Sequence, residues 1–389
     1  MQVTIERDEL LKGVNAVLDI VPSKSALPVL SNILVEGLEG EGLKLTATDL
    51  DISVICRVDG GIQTPGATTV PARKFAEIIR ELPDEEIVIS AEDERVTIQR
   101  EAGSVGTYSL MSVPAEDFPE LPGDIDGPQI AFGESGGIDE ELLKDMVSKT
   151  IFAVSRDETR PVLNGVLWQL KAGEMTMVAT DGARLVKYSK TLDGAALSKI
   201  ESESIVPPRA LNHLVKLIAS DYGLTRVTFG QSHLVFELED VSGKGGIQLY
   251  TRLIEGPYVD YAQVIPERNG KLLTLKNQAL SPAMRRVSIL SSSQTHQVRL
   301  KVGSNQVELS ANSQEIGGTA REVLDAEYGA DEMEVGYNGN YLLDILRRID
   351  SENVVFELDS PVTASIVRPS EQSDGQEYVC LIMPLRLND

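Results

Sequence analysis

Apolar and polar positions alternate along most of this chain, and at two points in each stretch of about 130 residues the alternation gives way to a helical period. Val3-Thr-Ile5 alternates as a strand. From Asp8 to Leu18 the apolar residues fall at helical spacing, with acids in the first turn, which predicts a helix. Three strand runs follow at 29–36, 42–48 and 51–58, and Thr69-Val70 ends another. The stretch Pro71–Leu82 predicts a second helix with proline in its first turn, followed by strands at 86–91, 94–100 and 105–111. One unit therefore runs strand, helix, three strands, and then the same order again. This is an α+β domain with its own pseudo-symmetry.

The order recurs. A strand at 129–132 and a helix at 139–150 lead to strands at 163–170, 174–179 and 184–189 and a helix at 209–218. A third copy has a strand at 272–275, a helix near 277–290 and a second helix at 338–349. Particular residues return as well. Pro28-Val29-Leu30 matches Pro161-Val162-Leu163 at an offset of 133, and Ala47-Thr48-Asp49 matches Ala179-Thr180-Asp181 at 132. Val298–Val302 and Val307–Asn312 form a fainter third copy. Such repeats decide the architecture before any single motif does. Proline- and glycine-rich connectors near Pro122–Pro128 and Pro266–Gly270 divide the chain into expected domains 1–125, 126–267 and 268–389.

Composition is that of a globular protein, with 42% hydrophobic and 25% charged residues, and there is no apolar run of membrane-spanning length. The opening residues lack the apolar core of a signal peptide, so a cytoplasmic protein with no membrane partner is expected. Cys56 and Cys380 lie in apolar strand runs and read as buried thiols. The net charge of −24 argues against a surface that grips DNA all over, so the placement of the cations matters. Arg80, Lys216 and Arg347 recur at one position of the second helices. Arg73, Arg209 and Asn340 lie two turns earlier on the same face. Lys12, Lys144, Lys149, Arg285 and Arg286 come from the first helices. Each alone reads as a solvated face; recurrence at matching positions favours a shared basic surface.

Several longer motifs stand in a telling order: Leu27-Pro-Val-Leu-Ser-Asn32, Pro65–Phe75, Asp117-Phe-Pro-Glu-Leu121, Leu163-Asn-Gly-Val-Leu167, Val178–Leu185 and Met383-Pro-Leu-Arg-Leu387. Through them the chain resembles the bacterial sliding clamps, the beta subunits of DNA polymerase III, over essentially its whole length. The resemblance implies three similar domains of the DNA-clamp type, with helices lining a ring and sheets outside. Two subunits would close head to tail around duplex DNA as a homodimeric processivity factor, without chemistry or cofactor. It implies DNA contacts at Lys24, to which the helix argument adds Arg73, Arg80, Arg209 and Lys216. It implies a peptide-binding groove at Arg160, Leu163, Thr180, Gly182, Arg184, Leu185, Val264, Met383, Pro384, Leu385 and Arg386. It places Tyr108, Leu110, Ile289 and Leu290 at the dimer interface, where ordinary core packing is the other reading. The partners it implies are the replicative polymerase alpha subunit, the clamp loader, repair polymerases and mismatch-repair proteins. Pro161, Val162, Ala183 and Gln263 stand where some relatives carry bulkier, aromatic or basic residues, and Asn388-Asp389 extends the tail; both bear on peptide preference.

Two rival readings remain. Thr48-Asp-Leu-Asp51 could pair two carboxylates on magnesium, but Thr180-Asp-Gly-Ala183 lacks the second acid, and a turn role is favoured. His213, His233 and His296 show no metal-ligand spacing, and no nucleotide-binding or nucleophile motif is present, so no catalytic residue or metal is assigned. An acidic repeat scaffold that binds only proteins is the alternative to a clamp.

Overall fold

The structure is a computed structural model that describes residues 1–100, 106–133, 138–192, 200–220, 222–243, 245–315 and 317–387. In the first repeat β1 (Gln2–Glu6) runs into α1 (Arg7–Leu18). Then come β2 (Asn32–Leu38), β3 (Gly42–Thr48), β4 (Ile52–Val58), β5 (Gly61–Thr64) and β6 (Gly66–Pro71). Helix α2 (Ala72–Glu81) is followed by β7 (Glu86–Glu92), β8 (Arg95–Arg100) and β9 (Thr107–Met111). The second repeat has β10 (Gln129–Ala131), α3 (Glu140–Thr150), β11 (Val166–Lys171), β12 (Glu174–Thr180), β13 (Arg184–Thr191) and β14 (Ser202–Val206). Its second half is α4 (Pro208–Ile218), β15 (Tyr222–Phe229), β16 (His233–Asp240) and β17 (Gly246–Arg252). The third has β18 (Lys271–Lys276), α5 (Asn277–Ser288), β19 (Gln297–Gly303), β20 (Gln306–Ser313), β21 (Gly318–Asp325), β22 (Glu327–Tyr328) and β23 (Met333–Asn338). It ends with α6 (Gly339–Leu346), β24 (Asn353–Leu358), β25 (Ser365–Pro369) and β26 (Gln376–Ile382).

The expected elements are present with three shifts. Residues 28–31 and 161–164, expected to open strands, form short 3-10 turns. The prolines fix φ near the helical value, and Leu30 and Leu163 donate backbone bonds to Leu27 and Arg160 three residues back. Pro71 caps α2 rather than entering it. The last helix is shorter than 338–349, because the Asn338 side chain caps it by accepting from the Asn340 and Tyr341 amides and the helix ends at Leu346. Residues 101–105, at the start of the expected strand 105–111, and Asn388-Asp389 lie outside the described residues.

The chain packs as two compact units, 1–143 with 209–253, and 144–208 with 254–389. The first unit holds a five-stranded sheet, β5-β1-β7-β8-β9, and an eight-stranded one, β10-β15-β16-β17-β4-β3-β2-β6. The second holds a nine-stranded sheet, β14-β11-β12-β13-β26-β25-β24-β18-β22, and a four-stranded one, β21-β20-β19-β23. Neighbouring strands are antiparallel throughout. The larger sheets join repeats: β17 pairs with β4, and β26 with β13, Leu381 opposite Leu185. Cys56 and Cys380 are buried and unpaired, and burial pushes each thiol up to about 12. No helix among the described residues is long and apolar enough to cross a membrane.

Candidate peptide groove and basic helix faces

The Thr-Asp repeat builds the same turn twice. Asp49 Oδ1 accepts the amides of Asp51 and Ile52; Asp181 Oδ1 accepts those of Ala183 and Arg184. Thr48 and Thr180 each donate a hydroxyl to the carbonyl four residues on and accept the amide two residues on. These aspartates are turn formers, as the spacing argument favoured. The third turn residue has positive φ in both, +82° at Leu50 and +91° at Gly182. A Cβ on Gly182 would sit 3.0 Å from Nη1 of Arg160. Arg160 also bonds the Asp157 carboxylate at 3.1 Å and the Asp181 carbonyl at 3.2 Å. The Thr159 hydroxyl and amide, helped by Arg160, hold the Asp157 carboxyl below its ordinary range.

Beside this turn, in the second unit, lies an apolar cluster of Leu167, Val178, Leu185, Ile205 and Leu381. Val162, Ile254, Tyr258, Tyr261, Ile265 and Ala364 pack on it while staying partly open. Tyr261 donates to the Gln169 side chain at 3.1 Å, and burial raises the Tyr258 phenol well above its ordinary value. Val264 and Met383 are exposed at 48% and 40%, apolar surface that water contacts. The tail is stitched down: the Met383 amide donates to the Ala183 carbonyl at 2.8 Å and the Leu385 amide to the Gly336 carbonyl at 2.7 Å. Gln297 holds the Arg386 carbonyl at 3.3 Å. Pro384 is half-buried and the Arg386 side chain exposed.

The repeat explains why this floor is apolar here. The first-repeat counterparts of Val178, Leu185 and Ile205 are Thr46, Ser53 and Thr69, all buried. Ser53 bonds Thr48 at 2.8 Å, and Thr69 bonds Asn32 and both backbone groups of Val113. At Ser53 and Thr69 an apolar side chain would displace a bonded hydroxyl, and among the described residues the first repeat is polar where the second is apolar.

The structure brings Arg160, Leu163, Thr180, Gly182, Leu185, Met383 and Pro384 around one turn, but with different roles. Leu163 and Leu185 are buried at 5% and 2%, forming support rather than surface. Arg184 is also buried, its guanidinium bonded to Asp181, Asp344 and the Phe152 carbonyl. It lies over the rings of Tyr341 at 4.3 Å and Phe152 at 5.2 Å. Sequence reasoning missed Ile254, Tyr258 and Tyr261; the signal was an aromatic pair three apart after Gly256-Pro257.

The basic faces differ too. Lys24, Arg73 and Arg80 are exposed and make no ion pair among the described residues. Arg209 is paired with Asp49 and bonds the Ile20 carbonyl at 3.1 Å, and Lys216 bonds Asp19 at 2.7 Å, which lowers the Asp19 pKa. Lys12 is spent on Asp240. Burial works to lower Lys149, but hydrogen bonds to Asp350 and Asp145 carry it above its ordinary range. These two first-helix lysines are structural. In the first unit α4 thus crosses the end of α1, with His213 at 3.1 Å from the Ala16 carbonyl. In the second unit α6 and the residues after it meet the end of α3 and the segment following it: Lys149 pairs with Asp350, Arg348 lies over the Phe152 ring, and Asp344 bonds Arg184, which bonds the Phe152 carbonyl.

Tyr108 is exposed and Leu110 half-buried on β9, which among the described residues edges its sheet beside β8. Ile289 is 74% exposed at the end of α5, with Leu290 half-buried. Strand β21 edges its sheet with alternating exposure, Val323 outward.

Models of the N-terminal, central and C-terminal domains of the DNA polymerase III beta subunit match residues 1–122, 137–260 and 262–386. The beta sliding clamp of Pseudomonas aeruginosa is 32% identical over 390 residues, covering all of both chains. The solved DNA polymerase III beta subunit of that organism aligns over 100% of both chains with a TM-score of 0.89 at 30% identity. Its sliding clamp bound to griselimycin, also aligned over 100% of both chains, gives 0.88 at 31%. With its repeated domains, the chain shares the three-domain clamp fold of these structures. The chain belongs to the DNA polymerase III beta subunits, the beta sliding clamps, non-catalytic processivity factors that work with DNA and DNA polymerase III.

Proposed function

We propose that two copies of the chain close head to tail into a ring around duplex DNA, and that the groove of the second unit holds partner peptides. The observation that carries the peptide reading is the partly open apolar layer of Val162, Ile254, Tyr258, Tyr261 and Ile265 over the buried Leu167, Val178 and Ile205, together with the exposed Val264 and Met383 and with Arg160 beside the turn. Such a floor takes a leucine or phenylalanine anchor, while backbone groups of the turn and tail fix the peptide main chain. Its users are the replicative polymerase alpha subunit, the clamp loader, repair polymerases and mismatch-repair proteins, in the cytoplasm. The domains run 1–125, 126–267 and 268–389.

The helix crossings support the ring. The end of α5 carries the exposed Ile289 and the half-buried Leu290, and α2 carries the exposed Arg73 and Arg80. Each is the other's complement in a second copy, as are the edge strands β9, with Tyr108 and Leu110, and β21. A contact between unlike surfaces closes only through rotation, and two such contacts complete a ring. Lys24, Arg73, Arg80, Arg209 and Lys216 touch phosphates weakly, so that linkage, not affinity, retains the protein while it slides.

The test is retention on circular and linearised plasmid after loading with a clamp loader and ATP. Retention on circles with loss from linear ends is expected. Equal retention on both would replace the ring with direct binding. Loss from both, with an active loader, would leave a scaffold that binds only proteins.

A further inference from the structure

We infer that Asp344, on a helix of the third repeat, is a positioning residue for the groove of the second repeat and acts through Arg184. The inference rests on the peptide reading above. Arg184 is 7% exposed, yet it carries a permanent charge. Its Nε donates to Asp181 at 3.1 Å, its Nη1 to Asp344 at 2.8 Å and its Nη2 to the Phe152 carbonyl at 2.8 Å. Tyr341 and Phe152 lie against the guanidinium. The side chain therefore has one geometry.

That geometry is passed to the groove through the backbone. The Arg184 amide donates to Asp181 at 3.0 Å, and its carbonyl accepts the Thr180 hydroxyl at 2.7 Å. These bonds set the turn that carries Gly182. The preceding residue, Ala183, accepts the Met383 amide, which places the tail wall. A residue outside the apolar floor thus sets the spacing between the two walls. The first unit has the opposite arrangement: the acid, Asp49, is on the turn and the arginine, Arg209, on the crossing helix, while Ile52 fills the place of Arg184. In each unit a charge on the crossing helix pairs with the turn, and in the second it is a carboxylate that holds the buried cation Arg184. Without Asp344, a buried guanidinium has lost one of two carboxylates, and such groups move toward water rather than stay unpaired.

The experiment measures fluorescence anisotropy of a labelled pentapeptide ending in Leu-Phe, with the full chain and with D344N, D344E, R184K and V264E. D344N is expected to weaken binding about tenfold, within the range for residues that act at a distance. D344E should recover most of it, and V264E should abolish binding. Hydrogen exchange should quicken at Ala183, Arg184 and Met383 in D344N and stay unchanged in the rest of the nine-stranded sheet. Unchanged affinity in D344N beside lost binding in V264E would overturn the inference and leave the groove standing. Exchange quickened throughout the sheet would make Asp344 a plain structural residue and also overturn it. No binding by the unmodified protein would sink the groove reading and the inference together. If D344N does not fold, R184K, which keeps the charge but not the planar fork, carries the same expectation.

Discussion

Leu50 holds φ +82°, a left-handed conformation that costs a leucine roughly 1–2 kcal/mol, whereas glycine occupies the same place in the second repeat. Glycine loses about 0.5–1 kcal/mol through the unfolded chain, so strain relief wins narrowly. L50G is expected to raise stability by roughly 0.5 kcal/mol in urea denaturation, and G182A to lower it by about 1 kcal/mol. A lower midpoint for L50G would show that its half-exposed side chain has a packing role. His213 supplies a pH dependence. Burial lowers its pKa from 6.5, against the pull of Asp19 and the Ala16 carbonyl and with help from Lys216 and Arg209. The fold prefers the neutral ring, so this stability is full above pH 6.5 and is lost as pH falls through the folded-state value. Melting curves of H213Q between pH 7.5 and 5 should slope less than those of the unmodified protein; parallel curves would remove His213 as the source. At this scale the Thr-Asp turns were legible, because their bonds are local. The role of Arg184 was not, because it depends on Asp344, 160 residues away.

Among the elements, the helices were legible from their period, with ends displaced where Pro71 and Asn338 act as caps and where α6 stops at Leu346. The strands of the first repeat were legible except for β5, which was not assigned, and where Pro28 imposes a tight turn. Strands β15, β16 and β17 were not assigned one by one, because buried strands run apolar without clear alternation, as Val-Phe at 235–236 shows. Nor does any local pattern say that β17 pairs with β4 across a repeat boundary. The exposed Ile289 at the end of α5 yields a prediction at this scale. I289D places a charge on a side chain that is 74% exposed in the single chain and buried in the proposed dimer. Sedimentation should show a dimer for the unmodified protein and monomers for the variant, with unchanged circular dichroism. A dimeric I289D would move the interface elsewhere.

For the whole molecule, the charge of −24 and the basic positions are reconciled by which cations are free. Arg73 and Arg80 make no ion pair among the described residues, whereas Arg209 and Lys216 already face Asp49 and Asp19. A phosphate must compete with those acids. R73A/R80A should therefore weaken direct binding to a short linear duplex at low salt more than R209A/K216A, and should flatten its salt dependence further. Equal losses would mean that the acids are displaced freely. The three-fold repeat was legible from recurring motifs, but the division into two compact units was not. The second repeat gives β11–β14 to one unit and β10 with β15–β17 to the other, a partition set by strand pairing between distant segments.

Strand β26 lies in the interior of its nine-stranded sheet, between β13 and β25, yet it is synthesised after every other strand there. On the ribosome the first unit has all its strands by Arg252 and can close while translation continues. The second unit cannot. Until Ile382 emerges, β13 presents an open hydrogen-bonding edge beside apolar residues, the condition in which nascent chains pair wrongly or need a chaperone. The window of risk in the biogenesis of this protein stays open until β26 has been made, and that strand leads directly into the tail of the proposed peptide groove.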